Sequence, residues 1–258
     1  MSTLKYEIKD LVARISLNRP EVYNSFNKEM ALELQSTLDD CATNDAVRCV
    51  VLSGEGKAFC AGQDLQEVVA EDGPELSEII NDHFNPLVIK IREMEKPVIS
   101  AVNGVAAGAG ANLALLCDIA VAKESASFIQ AFSKIGLIPD TGGTYFLPRL
   151  IGMQRATALM MLAEKVSAKE AQEIGMIYRC FADDVFEEEV SKIANKLANM
   201  PTKGLGYIKR ALNYSLTNDL NTQLGIEDQL QTLASHTKDY EEGVDAFLQK
   251  RKPIFKGA

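Results

Sequence analysis

The 258-residue chain holds only two histidines, His83 and His236, far apart and each without a neighbouring His or Cys. Supply alone argues against a His-built metal centre or a Ser-His-Asp triad. The five cysteines, Cys41, Cys49, Cys60, Cys117 and Cys180, are odd in number and form no C-x-x-C pair. They indicate neither a disulfide framework nor a zinc site and fit a reducing compartment. Basic residues are outnumbered, 27 Lys+Arg against 36 Asp+Glu for a net charge of −9, and such a surface repels nucleic-acid phosphates. No apolar stretch opens the chain, where charged residues stand within the first ten. No signal peptide is expected, and a cytoplasmic location is. The one segment that mimics a membrane span, 97–122, contains Asp118 and is mostly Gly, Ala, Ser, Asn and Val. It reads as buried core rather than a span.

What is present is a globular composition, 47% hydrophobic and 24% charged, enough for one large domain or a core with a small appendage. Leu11 to Leu17 alternates and ends at Asn18-Arg19-Pro20-Glu21, a strand followed by a turn. Asn27 is placed to cap a helix whose stripe is Met30, Leu34, Leu38 and Cys41. Val47 to Leu52 predicts a strand buried on both faces. Ser53 to Gln63 reads as a Gly-rich loop, and Leu65 to Met94 as acidic helical material with Ile79, Ile80, Leu87 and Ile91 as its apolar positions. Val98 to Val102 and Ile119 to Ala122 read as further strands, with a helix opened by Val105 to Asn112 between them. Alternating strands and helices predict an α/β fold with a largely parallel sheet. From Thr141 onward the pattern is helical apart from a short extended run, Met176 to Cys180. The chain is expected to divide near residue 200 into a core, 1–200, and a charged helical region, 201–258.

Gly108-Ala109-Gly110 follows a strand, but the third glycine of a dinucleotide fingerprint would fall on Leu113. Ser53-Gly-Glu-Gly-Lys57 has the wrong glycine spacing for a phosphate loop, and Ala58 stands where Ser or Thr would be needed. What remains is that Ala61 to Leu65 and Gly104 to Asn112 place small residues where strands end and helices begin. Their backbone N–H groups can face a ligand, and two such donors stabilise an oxyanion. Taken alone, each glycine-rich turn reads first as serving tight turning and close packing rather than ligand binding.

Four stretches taken in order carry more: Ala58-Phe-Cys-Ala-Gly-Gln-Asp-Leu65, Lys96 to Ala111, Cys117-Asp-Ile-Ala120 and Gly136-Leu-Ile-Pro-Asp-Thr-Gly-Gly143. Together they resemble the crotonase, or enoyl-CoA hydratase/isomerase, family over nearly the whole chain. The resemblance implies a spiral of β-β-α turns, a C-terminal helical region used in trimerisation, and an acyl-CoA thioester as substrate. It implies a homotrimer or dimer of trimers, no metal, and no cofactor beyond the coenzyme A of the substrate. The family's two oxyanion donors carry over to the backbone N–H groups of Gln63 and Ala109. Coenzyme A is expected near Val22 to Ser25 and Ala61 to Leu65, including Asp64, and near Gly108. Its phosphates are expected to meet Lys252, with Phe255, from a neighbouring subunit.

Hydratases of the family activate water with two glutamates, and the corresponding positions here are Asn112 and Phe132. Asp140 stands instead where members that shift double bonds carry an acid, and the likeness is greatest to the branch that rearranges ring-1,2-epoxyphenylacetyl-CoA. A single carboxylate can take a proton from C2 of a 3-enoyl thioester and return it at C4, without water. Pro139 fixes the approach to this acid, and Phe132 and Ile138 are expected to raise its pKa by excluding water. By residue type alone, Asp140 reads first as a helix N-cap for Thr141 onward, and the surrounding motif and the missing glutamates reverse that order. Glu164 and Glu173 read as a solvated face, His83 as surface in a segment that could also line the acyl pocket, and Cys60 as packing. A dehalogenase-like histidine would fall on Asn85. The leading expectation is an acyl-CoA isomerase; a hydratase, another thioester-processing enzyme and a non-catalytic acyl-CoA-binding scaffold are the alternatives.

Overall fold

The computed structural model describes residues 2–258. Ten strands form two sheets. The larger has the order β1 (Leu4–Lys9), β2 (Val12–Leu17), β3 (Cys49–Gly54), β5 (Val98–Val102), β7 (Ile119–Lys123), β10 (Arg179–Phe181). The smaller has the order β4 (Ala58–Cys60), β6 (Val105–Ala107), β8 (Ser127–Ile129), β9 (Lys165–Ser167). The β1/β2 and β8/β9 pairs are antiparallel and every other pairing is parallel. In sequence, β3 then β4, β5 then β6, and β7 then β8 place one strand in each sheet. Helical segments carry the chain back each time, as parallel pairing requires.

Between β2 and β3 lies α1 (Lys28–Thr43), and after β4 come the short α2 (Leu65–Val68) and α3 (Leu76–Glu78). A π-helical turn (Ile79–Phe84) runs into α4 (Asn85–Glu93), and α5 (Ala109–Leu115) joins β6 to β7. Next come α6 (Gly143–Ile151), α7 (Met153–Leu162), α8 (Ala168–Glu173) and α9 (Phe186–Ala198). The chain closes with α10 (Thr202–Ser215), α11 (Leu220–Ser235) and α12 (Lys238–Leu248).

The Asn27 side chain accepts the Met30 N–H at 3.0 Å, so α1 starts where expected, and Met30, Leu34, Leu38 and Cys41 are buried. Strand β3 is apolar on both faces because Val50 and Leu52 enter the main core while Cys49 and Val51 meet Phe186, Val190 and Ala194 of α9. Segment 97–122 is core material, and among the described residues no helix is long and apolar enough to cross a membrane.

Two readings change. The Ser53 to Gln63 loop contains β4, and Val105 to Ala107 is a strand rather than the opening of α5. Each is three residues long, too short to show a period of two. Strands β1, β8 and β9 are additions as well.

Asp118, just before β7, ties these layers together. Its Oδ2 accepts the Val98 N–H at 2.8 Å and pairs with Lys209 Nζ of α10 at 2.8 Å, while Arg92 of α4 lies 3.4 Å from Oδ1. Lys209 is only 6% exposed, and burial pulls its pKa below the ordinary lysine value against the Asp118 charge. Removing one member of a buried pair strands the other charge. Asp118→Ala is therefore expected to cost about 3–5 kcal/mol, read as a lower urea midpoint; a change below about 1 kcal/mol would show that Lys209 finds solvent instead.

Candidate active site

The β4 to α2 turn and the β6 to α5 turn meet at glycines. Gly62 has φ +97°, and a Cβ there would lie 3.0 Å from the Ala107 carbonyl oxygen and 3.3 Å from the Ala109 nitrogen. A Cβ on Gly110 would overlap the Cys60 carbonyl oxygen and sit 2.7 Å from its sulfur. Only hydrogen at these positions lets the first turn of α5 rest on β4. Cys60 fills the crossing as packing: it is fully buried, and burial pushes its thiol up to about 12, away from thiolate chemistry.

Two amides are left free at this junction. Phe26 pairs with the flanks of Gln63, its N–H donating to Gly62 O at 2.7 Å and its carbonyl accepting from Asp64 N at 2.8 Å. In that parallel bridge the N–H of Gln63 itself points away and has no partner. Ala109 is the first residue of α5, whose first internal bond runs from Asn112 N to Gly108 O. Its N–H is one of the donors every helix start leaves open. The expected pair, Gln63 and Ala109, thus stands on touching loops with both donors unpaired.

Asp140 sits in the turn before α6. The N-cap of that helix is Gly142, with no side-chain bond, so Asp140 is not its cap. Its carbonyl accepts from Gly143 N at 2.8 Å and from Asn112 Nδ2 at 2.9 Å, and its Oδ1 accepts from the Thr141 hydroxyl at 2.8 Å. Thr141 is buried with φ +51°, a strained conformation for a β-branched residue. Burial raises the Asp140 pKa above the ordinary aspartate value, and the Thr141 hydroxyl opposes that rise. Phe132 is buried, and its ring lies 3.8 Å from where a Gly108 Cβ would be. Ile138, by contrast, is 80% exposed and does not wall the acid as expected. The turn is covered instead by Phe146 and Val88, which a Gly142 Cβ would meet at 3.0 and 3.7 Å.

The coenzyme-binding candidates divide. Val22, Ser25, Ala61, Asp64 and Leu65 are brought together by Arg19, which donates to Ser25 O at 2.6 Å and pairs with Asp64 at 2.9 Å, and by the Ala61 N–H on Tyr23 O at 3.0 Å. Leu65 is half exposed at the rim. Gly108, buried with φ +52°, joins β6 to α5. Lys252 and Phe255 lie elsewhere: the Phe255 carbonyl accepts from Arg48 at 3.0 Å, at the end of β3 opposite Gly54, so one chain does not bring them to this site.

Glu164 and Glu173 are exposed. Asn85 is exposed and donates to Asn81 at 3.4 Å, facing solvent. His83 is not surface: it is 1% exposed on one stripe with Ile79, Leu87 and Ile91, and neither ring nitrogen has a partner. Its four-residue spacing from Ile79 and Leu87 was the signal that could have placed it inside.

The enoyl-CoA hydratase/isomerase family model matches residues 7–258. The chain belongs to that family. It is 48% identical over 249 residues, 95% of each chain, to 1,2-epoxyphenylacetyl-CoA isomerase of Escherichia coli K12. It is 37% identical over 257 residues, 100% of each chain, to 2,3-dehydroadipyl-CoA hydratase of the same organism. A crystal structure of an enoyl-CoA hydratase from Bacillus anthracis superposes with a TM-score of 0.92 at 35% identity, covering 99% of this chain and 100% of that one. The chain has the crotonase fold of a family of thioester-processing enzymes that act on acyl-CoA substrates.

The geometry generates a direct reading of the acid. Nuclear magnetic resonance titration of the side-chain carboxyls is expected to place the Asp140 midpoint above the ordinary aspartate value of about 3.9. In Thr141→Val, which loses the hydroxyl that favours the ionised form, the midpoint moves higher still. A midpoint that stays put or falls in that variant would show that the hydroxyl does not hold the charge.

Proposed function

We propose that the protein is an acyl-CoA isomerase in which Asp140 carries the proton and the Gln63 and Ala109 N–H groups hold the thioester oxygen. The observation that supports this above all is the half-buried carboxylate of Asp140, of raised pKa, on a turn bonded to α5, the helix that presents the free Ala109 amide. Names of relatives do not choose between isomerase and hydratase, since both occur among them. The side chains favour the isomerase, because Asn112 and Phe132 offer no carboxylate where the resemblance places the two that activate water.

With a 3-enoyl-CoA, the Asp140 carboxylate removes a C2 proton while negative charge grows on the thioester oxygen. Two preorganised N–H donors are suited to that charge, each being worth roughly 10²–10³ in rate. The double bond moves from C3–C4 to C2–C3 as the protonated Asp140 returns the proton to C4. Atoms balance without water and without a second base. The 48% identical relative acts, by its name, on 1,2-epoxyphenylacetyl-CoA, and a ring-epoxide thioester is the second substrate we assign, also rearranged without change of mass. A raised pKa strengthens Asp140 as a base, and the ionised form needed for C2 deprotonation disappears as pH falls through it.

Asp140→Asn is expected to keep its fold and coenzyme A binding while isomerisation of either thioester falls about 10²–10⁴-fold; turnover near the wild-type rate would remove Asp140 from the role. Ala109→Pro deletes one donor at a helix position that tolerates proline. It is expected to reduce kcat about 10²–10³-fold with an unchanged circular dichroism spectrum, and full activity would dismiss that amide as an oxyanion donor.

A further inference from the structure

Asn112 and Gln130 are buried amides, 3% and 2% exposed, that no step of the proposed chemistry uses. Asn112 Nδ2 donates to the Asp140 carbonyl at 2.9 Å, and Gln130 Nε2 donates to Asn112 Oδ1 at 2.8 Å. We infer that this pair is a positioning device: Gln130 orients Asn112, and Asn112 fixes the peptide of Asp140 against α5 so that its carboxylate is held in place relative to the Ala109 amide. The inference rests on the reading of Asp140 as the proton carrier.

The polarity of the relay follows from its last member. A carbonyl oxygen only accepts, so Asn112 must turn its nitrogen to Asp140 and its oxygen to Gln130, which must then offer nitrogen. Carboxylates at either position would break the sequence. Asn112 lies three residues after Ala109 on α5, one turn along the same helix, so the contact spans the distance between donor and acid with a single side chain. Gly143 shows how closely the parts fit, since a Cβ there would overlap the Asn112 amide.

Two further features call for such a clamp. Thr141 is held at φ +51° and Gly142 at φ +72°, and a strained turn persists only where its surroundings over-determine it. The Asp140 carbonyl, pinned by both Asn112 and Gly143 N, supplies that constraint. Gln130 leaves its own Oε1 without a protein partner, a cost that a position serving packing alone would avoid with leucine. Its remaining amide hydrogen bond is the one that sets Asn112.

The test compares Asn112→Asp, Gln130→Leu and Asp140→Asn by steady-state kinetics on a 3-enoyl-CoA, with thermal melts alongside. Asn112→Asp sets oxygen against oxygen at the Asp140 carbonyl and is expected to lower kcat about 100-fold, the scale of a misplacement near 1 Å. Gln130→Leu frees Asn112 to rotate and is expected to lower kcat about 10-fold. In both, KM stays within about threefold of the wild type, because thioester binding is untouched. A purely structural role would lower the melting temperature and the active fraction, and kcat per folded enzyme, taken from active-site titration, would then return to the wild-type value. Adding Asn112→Asp to Asp140→Asn is expected to cause no further loss, since the relay acts through the acid.

A folded Gln130→Leu enzyme with kcat within about threefold of wild type overturns the inference, and it decides alone should Asn112→Asp not fold. If Asp140→Asn is inactive while both amide variants turn over normally, only the positioning role falls. If Asp140→Asn itself remains active, the isomerase reading falls first.

Discussion

The site depends on how closely two strand-to-helix turns approach each other. Gly62 against Ala107 and Ala109, and Gly110 against Cys60, put backbone on backbone with no side chain between them. Such contact leaves nothing nearby to satisfy the first N–H of α5, and the Phe26 bridge leaves the Gln63 N–H equally open. Unpaired amides in a half-buried place are costly. The two-sheet spiral makes them rigid by fixing both turns at the ends of parallel strands. A donor pair that need not reorganise is the form of electrostatic stabilisation most useful to a developing enolate.

Against this fixed pair stands an acid under opposed influences. Burial pushes the Asp140 pKa up, and the Thr141 hydroxyl holds it down. A carboxylate of raised pKa is the stronger base, which is what the proposed proton transfer asks of Asp140. Thr141 pays for that contact with a positive φ, and the Asn112 and Gly143 bonds to the Asp140 carbonyl keep the strained turn in register with α5. The same helix therefore presents one amide and anchors the turn that carries the carboxylate.

Much of this frame was legible in the residues. The Asn27 cap, the α1 stripe, the alternation of β2 and the apolar runs of β3, β5 and β7 are all visible in stretches of four or more residues. Strands β4, β6, β8 and β9 were not legible, because three residues such as Ala58-Phe-Cys60 cannot display alternation, and it is these that form the second sheet. The placement of Gln63, Ala109 and Asp140 came from motifs in order, but the freedom of the two amides is tertiary, created by a bridge between residues 26 and 63. The exclusion of Asp140 as a cap likewise required seeing Gly142 in that place. Ile138 misled because apolar character says nothing about direction, and it faces outward. Residue type marks Asn112 only as lacking a carboxylate, whereas its hydrogen bonds engage both ends of the amide.

The central claim is that this family member moves a proton and adds no water. It is tested most directly by incubating the enzyme with a 3-enoyl-CoA in ¹⁸O-labelled water and analysing the products by mass spectrometry. The account predicts a 2-enoyl-CoA of unchanged mass, free of ¹⁸O. A principal product heavier by one labelled water would contradict it and place a hydratase at this site.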